Sequence, residues 1–421
     1  MPTLVRVIVR EDHTSIFDSV YVQSAEKLKE RGWDIQFVLL SFIGTWLRYG
    51  PKRLASELDS QLLEKFGRSV LRLPLPPARL SGLWGADDVF RAYLWFGKRL
   101  RHLGDDVIFE GNNSEATAAV IKAVGKSRRF AIVYRCWGID EEEYIFSLTG
   151  RCDRDQVNGA QRREAERLFL RQKLAVERAD HIVCVSHAMV DHLMNRFGCR
   201  REKMSVVPCA VDTAPFQSAT HGRNELRRQL RLQNKLVLVY CGAMQRYQMP
   251  SHGLRLFKRI LASEPNAHYL ILTRETEAMK KLCLEEQLPE ENRTIVALDH
   301  REVPRYLAVA DAGLLLRDRC PVNRVASPVK FGEYLAAGLP VVISREIGDY
   351  SALVSRESLG VVLDELDPTD SQVNEVVELL RHCGNRAVAC LEQSHYLDTH
   401  QLAEQVCQQF HSILELQKCF K

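Results

Sequence analysis

The residues best placed to do chemistry lie in Ser327-Pro-Val-Lys-Phe-Gly-Glu-Tyr-Leu-Ala-Ala-Gly-Leu-Pro-Val-Val. Ser327 suits a helix N-cap and Pro328 the first helical position, while Gly338 and Pro340 mark the stop. A helix start carries unpaired N–H groups and positive dipole, so it favours an anion. Lys330 adds a point charge in that first turn. Glu333, three residues on, shares its face. A carboxylate there can accept hydrogen bonds from the two vicinal hydroxyls of a ribose. The pattern thus fits a nucleotide phosphate at the helix start with its sugar beside it, and it also fits an ordinary capped helix.

Other segments carry weaker signals. Arg135-Cys-Trp-Gly-Ile-Asp-Glu-Glu-Glu143 follows an apolar run and reads on its own as an acidic loop, and Gly111-Asn-Asn-Ser114 ends another run. Asp153-Arg-Asp155 spells a metal–nucleotide D-x-D but lies in a charged loop, so no metal is expected. No G-x-G-x-x-G follows the first strand and no G-x-x-x-x-G-K-[ST] occurs, which argues against NAD and a P-loop. Without a basic–aromatic stripe, nucleic acid is not an expected partner. Lys98 to His102 and Lys126 to Arg129 read as solvated helix ends, with attraction to anionic lipid headgroups as the alternative.

The elements that position these residues alternate along the chain. Short β-branched runs beginning with Val5 to Val9 alternate with helical patterns up to Met204 to Cys209, which implies a parallel sheet covered on both faces. Polar residues with Pro and Gly from Asp212 to about Asn224 break the rhythm and read as part of a linker over 213–234. Alternation restarts at Leu236. The fold expected is α/β, two Rossmann-like doubly wound parallel-sheet domains facing across a cleft. The first covers 1–212 and the second 235–385, with C-terminal helices over 386–421 packing back on the first. Leu402, Val406, Phe410, Ile413 and Leu416 form a core-facing stripe in that tail. The 421 residues carry a net charge of +4, and no apolar run approaches the ~18 residues of a membrane span. The 12 cysteines form no C-x-x-C pair and no signal peptide is evident, so a cytoplasmic location is expected.

The Ser327–Val342 segment resembles the donor-binding motif of family 4-like GT-B glycosyltransferases, closest to a branch with S-P-x-K-x-x-E-Y. Ala179-Asp-His-Ile-Val-Cys-Val-Ser186 with Val206-Val-Pro-Cys-Ala-Val-Asp212 resembles the stretch closing that family's N-terminal domain. Leu238-Val-Tyr-Cys-Gly-Ala-Met244 resembles the strand-to-Gly turn opening its C-terminal domain. The resemblance implies that Glu333 holds the nucleotide ribose and Lys330 faces the diphosphate. Ser327, Pro328, Phe331, Gly332 and Gly242 then complete a nucleotide-sugar site. The basic residues that many members carry after the strand-end Gly are Ala243 and Gln248 here, and their first Glu is Val325. Arg246 is the nearest candidate to compensate beside Lys330, with Arg317, Arg319 and Arg324 in reserve. A fainter likeness to a D-x-R-G…E segment of polysaccharide transferases implies that Arg135 and Asp140 approach the donor sugar or acceptor.

The resemblance implies retaining transfer of a sugar from a UDP- or GDP-sugar to a glycan or lipid-linked acceptor. The enzyme would need no cofactor or metal and would either be cytoplasmic or sit peripherally on the inner membrane face. A sugar-nucleotide 2-epimerase and a non-catalytic GT-B partner protein are the alternatives.

Overall fold

A computed structural model describes residues 1–9, 22–42, 62, 64–66, 70–75, 103–124 and 130–419. The sequence pattern also predicts helices over 15–31, 52–66 and 86–102; the last of these and both basic clusters, Lys98 to His102 and Lys126 to Arg129, lie outside the described residues. So do most of the helix expected over 52–66 and the first half of that over 15–31. The chain divides into two compact units: Met1–Pro208 with Leu402–Lys421, and Cys209–Gln401.

The first unit holds strands β1 (Thr3–Val9), β2 (Asp34–Phe42), β3 (Val70–Leu75), β4 (Val107–Gly111), β5 (Ala131–Cys136), β6 (His181–Cys184) and β7 (Met204–Val206). They form one sheet in the order β3-β2-β1-β4-β5-β6-β7 with every pairing parallel. All residues of β4 and β5 are buried, as strands covered by helices on both faces require. Side-chain caps set several helix ends. Asn158 and Gln161 form a capping box at the start of Gly159–Arg178, and Ser186 Oγ accepts from Met189 N–H at the start of His187–Phe197. From Leu402 on, the helix Thr399–Cys419 belongs to this unit. Trp33 Nε1 donates to His411 Nε2 (3.1 Å) and Ser205 Oγ donates to Gln409 Oε1 (3.2 Å). Leu402, Val406, Phe410 and Ile413 are buried, but Leu416, the last residue of the expected stripe, is exposed.

The second unit holds β8 (Leu236–Cys241), β9 (Ala267–Leu272), β10 (Arg293–Val296), β11 (Ala312–Leu315), β12 (Val341–Ser344) and β13 (Gly360–Leu363). Their order is β10-β9-β8-β11-β12-β13, again all parallel. Both sheets are therefore doubly wound, with the strand order reversing beside the first strand of each.

Two expected boundaries differ from the structure. Residues 213–234 are not a free linker: Ala214–Ala219 and Arg223–Gln229 are helices of the second unit. Phe216, Leu226 and Leu232 enter its core, and Arg223 and Arg227 both pair with Asp311. Three apolar anchors set in a polar segment suffice to dock it. Within 386–421, the helix Gly384–His395 also belongs to the second unit, with Cys390 buried in its core.

Candidate active site

In the second sheet the strand order reverses between β8 and β11, and doubly wound sheets bind ligands outside the carboxyl ends of their strands at such a point. The helix Val329–Ala336 precedes β12, so its start lies at that end of the sheet. Tyr334 fixes it there. Its hydroxyl accepts from Cys241 N–H on β8 (3.1 Å) and donates to Leu314 O on β11 (3.2 Å). Its ring lies 2.5 Å from where a Cβ on Gly313 would stand, so only glycine leaves room for it.

Lys330 and Glu333 meet on this helix. Lys330 Nζ donates to Glu333 Oε2 at 2.6 Å, and His300 Nε2 lies 3.5 Å from Oε1. The Glu333 side chain is 2% exposed and that of Lys330 is 29% exposed. Burial opposes the charge on both. Lys330 and His300 nevertheless hold the Glu333 carboxyl below the usual carboxylate range, and Cys241 and Glu333 raise the Lys330 ammonium above its ordinary value. The pair is a buried, ionised couple with one face reachable from solvent.

The neighbouring motif residues take different places from those expected. Ser327 is not the cap: the N-cap is Pro328, and no side chain caps this helix. Ser327 Oγ instead accepts from Cys209 N–H (2.9 Å) and bonds Tyr350 Oη (2.8 Å), pinning the chain after β7 to the helix entry. Phe331 is fully buried and stacked on Tyr350 with centroids 4.1 Å apart, so it packs in the core of the unit. Gly332 permits close packing on Val211, whose Cγ2 stands 2.8 Å from a Cβ built at 332. At the end of β8, Gly242 lies under the Gln248 carboxamide, which occupies the space of a Cβ there. Tyr240 Oη lies 2.8 Å from Gln248 Oε1 and 2.6 Å from Ala243 O. Arg246 opens the turn Arg246–Gln248 and is exposed.

The first unit has its own polar cluster at the carboxyl ends of β4 and β5. Glu110 is clasped by two guanidiniums, Arg135 Nε at 2.7 Å and Arg6 Nε at 2.6 Å, with all three side chains at most 1% exposed. Burial would raise the Glu110 carboxyl, but Arg135 and Arg6 keep it below its ordinary range. Arg135 thus ties three strands together from a buried position. Asp140 opens the helix Asp140–Thr149 and accepts from Arg171 Nη2 (3.1 Å) and from Ser114 Oγ. Gln172 holds the preceding loop, donating to Gly138 O (2.9 Å) and Tyr134 Oη (3.0 Å). Glu143, one turn into this helix, folds back over Gly138. Desolvation by the surrounding protein, and then Asp140, push its carboxyl up to about 7, although the side chain keeps an exposed face. Asp153 caps the turn Arg154–Gln156, accepting from Asp155 N–H.

Sequence reasoning missed His300, Tyr334, Glu110, Arg6, Gln172 and Glu143. A charged residue inside an otherwise apolar strand (Arg6 in TLVRVIV, Glu110 in VIFEG) is the available signal for the buried cluster. Tyr334 lies inside the motif itself. His300 and Gln172 carry no local signature.

Comparison with solved structures identifies the fold. Anabaena Alr3699/HepE, crystallised with UDP, matches over 98% of this chain and 100% of its own at 15% identity, with a TM-score of 0.67. The same protein was also crystallised with UDP-glucose. WaaG, a glycosyltransferase involved in lipopolysaccharide biosynthesis, matches over 97% of this chain and 99% of its own at 13% identity, TM-score 0.65. These likenesses define the GT-B fold. In sequence, residues 19–215 match the model of glycosyltransferase family 4, and residues 313–380 match that of the glucosyltransferase 3-like C-terminal domain. TuaH of Bacillus subtilis (strain 168), named for teichuronic acid biosynthesis as a glycosyltransferase, is 27% identical over 171 residues, 40% of this chain and 41% of that protein. The chain is thus similar in sequence to glycosyltransferase family 4 over residues 19–215, and it has the GT-B fold. Among the described residues no helix is long and apolar enough to cross a membrane.

Proposed function

We propose that this chain transfers a sugar from a nucleotide-diphosphate sugar to an acceptor hydroxyl, with retention at the anomeric carbon, in the assembly of a polysaccharide or a lipid-linked glycan. The Lys330–Glu333 pair carries the reading. It stands at the strand-order reversal of the second sheet, on the helix where the family resemblance puts the donor. In this account Glu333 accepts from the ribose hydroxyls. Lys330 swings from the carboxylate to the diphosphate, where the uncapped helix start also favours negative charge. Charge grows on the departing diphosphate as its bond to the sugar breaks. A preorganised ammonium and helix dipole stabilise it without a metal. The acceptor proton passes to the leaving phosphate, since among the described residues no side chain presents itself as a covalent nucleophile. Retention is the course that the family resemblance implies, and UDP is the first donor base to try because it is the nucleotide held by HepE. A thermal-shift screen of UDP-, GDP- and dTDP-sugars tests the reading. A ligand at 100 times its dissociation constant adds about 2.7 kcal/mol to stability, so one series should raise the melting temperature clearly. No shift with any of them contradicts the proposal.

A further inference from the structure

The nucleotide reading leaves a charge problem, because a diphosphate calls for more than one cation and positions 243 and 248 hold Ala and Gln. Gln248 is tied to Tyr240 and covers Gly242, so neither position offers a donor of charge. Arg317 follows β11, directly across the strand-order reversal from β8. Its backbone is fixed on β12: Ser344 Oγ accepts from Arg317 N–H (2.9 Å) and donates to Arg317 O (2.7 Å).

The side chain is held but not neutralised. Its guanidinium lies over the Tyr247 ring at 4.8 Å, and Nη1 donates to Asn323 Oδ1 at 3.3 Å. Asn323 is fully buried and oriented by its own bonds to Asp318, 2.6 Å to the carboxylate and 3.0 Å to the carbonyl. Arg317 Nε is buried without a hydrogen-bond partner, and no carboxylate lies within ion-pair distance among the described residues. Burial pulls this guanidinium below its ordinary value, as expected of a cation short of compensating charge. The other reserve arginines differ. Arg319 pairs with Glu365 at 3.2 Å and Arg324 with Glu346 at 2.7 Å.

We propose that Arg317 is the second cation of the donor diphosphate site, replacing from the end of β11 the charges missing after β8. This rests on the nucleotide-sugar reading above. Tyr247 and Asn323 hold the guanidinium in place, and its charge is what a phosphate would meet there, with the terminal nitrogens of the planar fork as donors.

Isothermal titration of UDP, with uridine measured by competition, tests this on wild type, Arg317→Gln and Arg317→Lys. Arg317→Gln should weaken UDP binding at least tenfold and leave uridine binding unchanged. Arg317→Lys, which keeps the charge and loses the fork, should fall between. An unchanged UDP dissociation constant in Arg317→Gln, or an equal loss for uridine, overturns the inference and makes Arg317 a brace of its loop. If Arg317→Gln does not fold, the lysine variant decides on the same two ligands: weaker UDP with unaltered uridine supports the inference, and wild-type affinity for both overturns it. Failure of wild type to bind any nucleoside diphosphate would instead remove the nucleotide reading itself.

Discussion

Lys330 Nζ sits 2.6 Å from Glu333 Oε2, so the two residues most suited to a nucleotide are bound to each other. Donor binding on this account is an exchange. Ribose hydroxyls take over the carboxylate, and the ammonium passes to the phosphates. Each group is kept charged by the other until the donor arrives, despite burial of both.

The exchange predicts a particular kinetic signature for Lys330→Ala. Charge on the leaving diphosphate is greatest in the transition state, so kcat should fall more than donor KM rises. Removal of one such stabilising group typically costs about 2.7–4 kcal/mol, roughly a hundred- to a thousandfold in kcat. Arg246→Ala should do little, because Arg246 is exposed. Steady-state kinetics on both variants check this, and wild-type turnover in Lys330→Ala would count against the electrostatic account.

Activity should survive chelation. The proposed phosphate site consists of a helix start and basic side chains, and Asp153 of the D-x-D triplet is engaged in capping a turn. Assays with and without EDTA should agree within error. Loss of turnover that Mn²⁺ or Mg²⁺ restores would assign the triplet a metal role.

The Lys330–Glu333 pair was legible in sequence because i, i+3 spacing on one helix is a local property. The role of Ser327 was not. Its hydroxyl is claimed by Cys209 N–H and Tyr350 Oη, partners brought to it only by the folded unit, so the cap position moves to Pro328. The Arg6–Glu110–Arg135 cluster was invisible for the same reason: three strands distant in sequence become neighbours through the order β1-β4-β5. The segment 213–234 misled in another way, since its polar composition outweighed Phe216, Leu226 and Leu232.

That buried cluster gives a stability prediction. Glu110→Ala leaves two guanidiniums buried without their shared carboxylate, and breaking a buried pair in this way typically costs about 3–5 kcal/mol. Denaturant unfolding should show a loss of this size. Glu110→Ala should still bind donor under native conditions, because the proposed donor residues belong to the second unit. A change under 1 kcal/mol would contradict the assignment of Arg135 as a tie between strands.

Glu143 supplies a pH dependence. Its folded pKa of about 7 lies above the unfolded value of 4.5, so the folded chain binds more protons between them. Its contribution to stability is therefore full below about pH 4.5 and is lost as pH rises through 7. Glu143→Gln should flatten the fall in melting temperature between pH 5 and 8 relative to wild type, and ¹³C NMR should place the wild-type carboxyl midpoint near neutrality. A midpoint near 4.5 would contradict the assignment.

The most direct test of the central claim is titration of UDP and of 2′,3′-dideoxy-UDP into wild type and Glu333→Ala. Loss of charge-assisted hydrogen bonds to the ribose is worth about 1.5–3 kcal/mol, roughly ten- to a hundredfold in dissociation constant. UDP should weaken by that factor in Glu333→Ala, while the dideoxy analogue, which has no ribose hydroxyls to offer, should bind the two proteins nearly alike. Equal UDP affinity in wild type and a folded Glu333→Ala would contradict the account, as would the same loss for both ligands.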